Sequence, residues 1–150
     1  MISLVVEIDP VEGDNRLYSM QWYEKLEACV LDVLDIVPNR DITIVLIDDI
    51  HMRELNESYR GLKKTTDVLS FLYDPAVGRK NYEGELFISL PLAIRQAKRY
   101  KTTLVREVAR LVVHGILHLY DYDHMKVKER VIMRGLTNKS LALARKKELC

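Results

Sequence analysis

Three histidines fall within eleven residues, in the run His114-Gly-Ile-Leu-His118-Leu-Tyr-Asp-Tyr-Asp-His124. The whole chain has only 4. His114 and His118 are four residues apart, so on a helix both rings leave the same face. This is the spacing by which a helix offers two imidazoles to one tetrahedral metal ion. His124 lies just past the expected helix end, where a short chain reversal can return its ring to the same point. Three histidines with an open fourth position are the ligand set of a catalytic zinc site, whereas a structural site is usually closed by four protein ligands, often cysteines. The alternative is a pair of core or solvated histidines satisfied by ordinary hydrogen bonds. A third histidine at such close range favours one bound zinc ion. His51, on another predicted helix, is expected at the surface.

The neighbours of these residues narrow the chemistry. A zinc peptidase of the His-Glu-x-x-His type carries its general base directly after the first histidine. Here that residue is Gly115, which has no side chain, so peptidase chemistry is disfavoured. Glycine inside a helix costs about 1 kcal/mol relative to alanine, and its presence suggests close approach of another backbone or of a ligand. Winding the helix from Leu104 at 100° per residue puts Leu104, Val108, Leu111, Val112, Gly115 and Leu119 on one arc. His114 and His118 fall on its edge, at the rim of the core, and Glu107 lies on the same side two turns earlier. Glu107 is therefore a candidate to receive an imidazole N–H behind the metal, and Asp123, a nearby carboxylate in sequence, is a candidate either for general base or for orienting a histidine. The competing reading for Glu107 is an exposed carboxylate near a helix N-terminus.

The elements that must position these residues follow from periodicity and punctuation. Ile2 to Ile8 reads as a strand. Ser19 can cap a helix to about Val37, closed by Pro38 and Asn39. Ile42 to Ile47 is a short apolar run, suited to a buried strand. Asp48 or Asp49 can cap a helix reaching about Tyr59. Asp67–Leu72 and Glu85–Ser89 read as a close strand pair around a turn at Asp74, Pro75 and Gly78. Pro91 suits the start of a helix to about Tyr100. Thr102 or Thr103 caps the histidine-bearing helix, which extends to about Tyr120. A last helical region covers about Lys126 to Leu149, with a break expected near Gly135 to Asn138. Two βα units followed by a strand pair predict an α+β fold: one domain over residues 1–150, a four-stranded mixed sheet, and about five helices.

The net charge of +1 conceals an asymmetry. Residues 1–57 carry net −9 and residues 58–150 net +10. The last helical region is especially basic, and a basic face beside a metal site suggests a polyanionic partner. Mutual neutralisation across the fold is the alternative. No stretch approaches the roughly 18 apolar residues of a membrane helix. The N-terminus meets acids at Glu7 and Asp9 and lacks the cationic flank of a signal peptide. The 2 cysteines, Cys29 and Cys150, make neither a disulfide framework nor a metal site, so a cytoplasmic location is expected.

Beyond spacing, the run His-Gly-x-Leu-His-Leu-x-Asp-Tyr-Asp-His resembles the signature of the YbeY family, metal-dependent endoribonucleases that act in ribosomal RNA maturation. Leu55-Asn56 with Tyr59-Arg60, Thr66-Asp-Val-Leu-Ser-Phe71 and Gly84-Glu-Leu-Phe-Ile-Ser89 are similar to further family blocks, in family order. Arg106-Glu107 also sits where the family often has Arg-Glu. One departure is Asp121, which stands where the family has glycine. If that glycine holds a positive φ, Asp is among the better substitutes.

The resemblance implies that His114, His118 and His124 bind zinc and that Arg60 works in the cleft. It also implies processing of small-subunit ribosomal RNA near its 3′ end, with ribosomal proteins or a ribosome-associated GTPase as partners. A zinc with an open position can lower the pKa of water toward 7 and polarise a phosphoryl oxygen. A guanidinium such as that of Arg60 matches two phosphate oxygens, although Arg60 could instead satisfy helix-end carbonyls or pair with Asp67. Lys63 and Lys64 are expected to track the RNA backbone. Ser70 is marked by its motif, and Asp67 is assigned to capping or orientation. The competing functions are an RNA-binding assembly factor with a structural metal, and a zinc hydrolase of other substrates.

Overall fold

Strand alternation divides the sheet between two layers. The structure, a computed structural model, describes residues 1–11, 13–121 and 127–150. Its sheet is formed by β1 (Ile2–Val6), β2 (Arg40–Ile47), β3 (Val68–Tyr73) and β4 (Tyr82–Ser89), in the order β1-β2-β4-β3. β1, β2 and β4 run parallel and β3 returns antiparallel along β4, so the expected mixed four-stranded sheet is present. Ile2, Ile42, Ile44, Leu46, Leu86 and Ile88 point to one face and join the large core. Val45, Ile47 and Leu69 point to the other and join a small second cluster.

The large cluster lies beneath α1 (Met20–Leu34), α3 (Leu90–Arg99), α4 (Leu104–Leu119) and α5 (Val127–Lys146). The opposite face is covered by α2 (Asp49–Arg60), through Met52 and Leu55. Among the described residues five α-helices match the expected number, and a 3-10 turn at Asn15–Tyr18 precedes α1. α4 is the central helix. Besides the predicted arc it buries Val105, Ala109, Val113, Ile116 and Leu117, because α1, α3 and α5 pack on the sides that face away from the sheet.

Local chemistry explains most boundaries. Asp48 caps α2 by accepting the His51 N–H, Ser89 caps α3 with Pro91 in the first turn, and Thr103 caps α4 by accepting the Arg106 N–H. Three expectations are corrected. α1 ends at Asp35, which takes a left-handed φ of 54°, before Pro38 and Asn39 are reached. β4 begins at Tyr82, three residues earlier than expected, because Tyr82, Glu83 and Gly84 pair with the start of β2. α5 runs unbroken through Gly135 to Asn138. Thr137 Oγ1 bonds back to the Met133 carbonyl at 2.8 Å, and the buried residues on either side, Met133 and Leu141, hold the helix onto the core. Packing there outweighs the weak propensity of glycine and asparagine.

Candidate metal centre and its surroundings

α4, which carries the histidine pair, lies close against the sheet. A Cβ added at Gly115 would overlap Leu86 Cδ1 of β4 and stand 2.9 Å from Cδ2. The close approach anticipated at Gly115 is therefore to a buried sheet side chain, not to a backbone or ligand. Between the two histidines, Ser70 Oγ of β3 donates to the Gly115 carbonyl at 3.5 Å. Ser70 thus ties the edge strand to the histidine-bearing turn.

His114 and His118 are both half-buried. Their Nε2 atoms are 3.2 Å apart and their ring centroids 4.8 Å. Two imidazole nitrogens on one tetrahedral ion, each about 2.0–2.1 Å from it, lie about 3.3–3.4 Å from one another. The pair fits that requirement without rearrangement. With no ion bound, the same separation suits a hydrogen bond in which one ring donates and the other accepts. The expected third ligand, His124, and the expected partner Asp123 lie outside the described residues. Among the described residues no group of three metal-binding side chains comes together.

Glu107 is buried, at 2% exposure, not solvated. Arg110, one turn on, donates Nε to Glu107 Oε1 and Oε2 at 3.2 and 3.3 Å. Arg110 also reaches Asp67 at 4.0 Å. Asp67 accepts from the Val68 N–H at 2.8 Å and from Gln96 at 3.4 Å, which fits its assignment to orientation. This network fixes the N-terminal half of α4 against α3 and the start of β3.

Arg60 is the last residue of α2 and is exposed. Gly61 closes the helix at φ 68°, a left-handed conformation that glycine adopts without strain. Asp67 is engaged elsewhere, and among the described residues the Arg60 guanidinium has no ion-pair partner. Lys63 and Lys64 are exposed on the following loop. Buried Asn56 holds that loop, donating Nδ2 to the Lys64 carbonyl at 2.8 Å. Arg60 and the histidines belong to helices on opposite sheet faces, yet both flank β3. Ser70 touches the α4 backbone, while its neighbour Phe71 meets Tyr59, next to Arg60, with ring centroids 4.7 Å apart. His51 is exposed as expected. Asp48 accepts from its Nδ1 at 2.7 Å and raises its pKa above the usual imidazole value.

The sequence left two residues near the site unmarked. Arg110 stands beside Glu107, and Arg40 is a buried cation at the C-terminal end of α4. Arg110 carries an i, i+3 signal on a helix. Arg40 carries none, because two of its three hydrogen-bond partners, Leu119 and Asp121, lie about 80 residues away.

Residues 12–145 match the family model described as Endoribonuclease YbeY. Curated proteins of that name resemble the chain. One from Desulforamulus reducens is 43% identical over 103 residues, 65% of this chain and 67% of its own length. One from Sulfurihydrogenibium sp. is 51% identical over 87 residues, and the aligned part spans 57% of each protein. One from Heliobacterium modesticaldum is 36% identical, covering 89% of this chain and 91% of that one. The solution structure of a Thermotoga maritima protein shares the fold, with a TM-score of 0.58 and 24% identity over 99% of this chain and 95% of the other.

Proposed function

The chain belongs to the YbeY family, and from that premise we propose that it is a zinc-dependent endoribonuclease that cleaves single-stranded regions of ribosomal RNA precursors. The observation that carries the reading is the His114–His118 pair, with its Nε2 atoms at 3.2 Å on a helix clamped to the sheet. His114 and His118, joined by His124, would hold one zinc ion. When bound, zinc supplies Lewis-acid chemistry for a phosphodiester at neutral pH.

The remaining groups bind and orient. Arg60 presents an exposed guanidinium at the α2 end, suited to the non-bridging oxygens of the scissile phosphate. Lys63 and Lys64 offer charge to the flanking backbone, and the Asn56 bond to Lys64 holds their loop in place. Ser70 keeps β3 against the turn between the histidines. Arg110, held by Glu107 on the same helix, reaches Asp67 at the start of β3 and so ties α4 to the sheet. The exposed bases of α5, including Lys128, Arg130, Arg134 and Lys139, offer further positive charge to a polyanion.

Small-subunit ribosomal RNA near its 3′ end is the proposed substrate, with ribosomal proteins or a ribosome-associated GTPase as partners in the cytoplasm. Among the described residues no helix is long and apolar enough to cross a membrane. The test pairs metal analysis with cleavage of a ribosomal RNA fragment. Wild type carries about one zinc per chain and cleaves, and His118→Ala loses both. Arg60→Ala keeps the zinc and loses at least about tenfold in cleavage, the scale of one lost charge-stabilising contact. Cleavage by a zinc-free His118→Ala protein would sink the proposal.

A further inference from the structure

Arg40, the first residue of β2, is a buried cation. Its side chain is only 9% exposed, and a guanidinium in such a place is costly unless its N–H groups are taken up. Nε donates to the Leu119 carbonyl at 2.9 Å, Nη1 to Asn39 Oδ1 at 2.6 Å, and Nη2 to Asp121 Oδ2 at 3.3 Å. The guanidinium lies 4.9 Å from the Tyr82 ring centroid and 4.6 Å from that of Tyr120. Tyr82 is the register partner of Arg40 on β4, and Tyr120 is the residue that caps α4. The Asn39 N–H donates to Tyr120 Oη at 3.4 Å. Three consecutive residues, Leu119, Tyr120 and Asp121, are therefore gripped by one side chain, at the end of α4 where carbonyls lack helical partners and a cation is favoured.

Asp121 needs such a grip. Its φ is 71°, in the left-handed region that costs a non-glycine residue about 1–2 kcal/mol and persists only where the surroundings fix it. Its side chain is 78% exposed, so packing does not hold it. The Asp121 N–H bond to the His118 carbonyl and the contact to Arg40 do.

We propose that Arg40 is a positioning residue for the metal centre. It sets the left-handed exit of the chain from α4, where the Asp121 N–H donates to the His118 carbonyl at 3.0 Å, and so governs how firmly the turn that carries His118 is held for the metal. The inference rests on the metal reading above.

The test measures zinc affinity by competition with a chromophoric chelator, and thermal melting of the metal-stripped protein. The proteins are wild type, Arg40→Met, Asp121→Gly and the double variant. Arg40→Met weakens zinc about 10- to 100-fold, the range for losing a group that orients a metal ligand. Glycine adopts the left-handed conformation unaided, so in the Asp121→Gly background the same change costs severalfold less. A merely structural Arg40 would lower the melting temperature of the stripped protein, with a loss of zinc affinity that does not depend on residue 121. An equal loss in both backgrounds, or none in either, overturns this proposal while leaving the metal reading intact. A wild type that takes up no zinc overturns both. If Arg40→Met does not fold, Asp121→Asn decides: about threefold weaker zinc binding supports the proposal, and unchanged binding overturns it.

Discussion

The two faces of the sheet are held by different forces. The inner face is sealed. Ile2, Ile42, Ile44, Leu46, Leu86 and Ile88 are each at most 1% exposed beneath the helical layer that includes α4. The outer face builds its apolar cluster from Val45, Ile47, Met52 and Leu69 with α2, and leaves Val5 and Tyr73 partly in solvent. α2 is instead anchored through Asp49. That carboxylate accepts from Arg95 at 2.7 and 3.2 Å, from Ser89 Oγ at 2.9 Å and from Thr65 Oγ1 at 3.3 Å. Apolar burial gives the histidine helix a single rigid placement, as a metal site requires. Polar anchoring leaves the end of α2, with Arg60, accessible to a large substrate. The edge strand β3 joins the two regimes through Ser70 and Phe71.

Substituting neighbours on β4 that face opposite ways tests this contrast most strongly. Leu86→Ala, on the sealed face, costs about 2–5 kcal/mol in chemical denaturation. Phe87→Ala, half-buried on the other face, costs about 1–2 kcal/mol despite the larger side chain. A reversed order would break the comparison.

A smaller effect is expected at Gly115. Alanine there gains helix propensity but overpacks against Leu86, for a net loss of about 1–2 kcal/mol. The same denaturation curves should show Gly115→Ala and Leu86→Ala to be less than additive, because the second removes the atoms that the first would strike. Strict additivity would mean that Leu86 does not set the distance of α4 from the sheet.

The smallest effect is one of pH and belongs to the outer face. Arg95 first, and then Ser89 and Thr65, hold the Asp49 pKa below the ordinary carboxylate value. A lowered folded pKa stabilises the folded form above the unfolded pKa of about 3.9, and that contribution is lost as pH falls through the folded value. Amide exchange in α2 should therefore quicken as pH drops below about 4, beyond its intrinsic pH dependence, while α4 stays protected. Asp49→Asn should loosen α2 already at pH 7 and flatten that response. Equal acid sensitivity of α2 and α4 would show that the two faces open as one unit.

How far the sequence carries depends on how local the deciding interaction is. Caps at Asp48, Ser89 and Thr103 satisfy backbone groups within three residues, so the helix starts they mark could be read directly. The i, i+4 spacing likewise placed His114 and His118 together. The break expected in α5 did not occur, because burial of Met133 and Leu141 outweighs a local weakness at Gly135. α1 ends short of Pro38 because Asp35 takes a conformation more typical of glycine, which no local pattern marks.

The order of residues alone determined the family, the mixed sheet, the pairing of two imidazoles on one helix face and the chemistry they suit. These rest on interactions spanning a few positions, or on alternation along a single strand. Only the tertiary structure decided that Glu107 is buried against Arg110, that Gly115 exists to admit Leu86, and that Arg40 grips the end of α4 from the far side of the chain. The physical reason is the same for each. Burial and close approach belong to pairs of surfaces, and which surfaces meet is fixed only when the helices settle on the sheet.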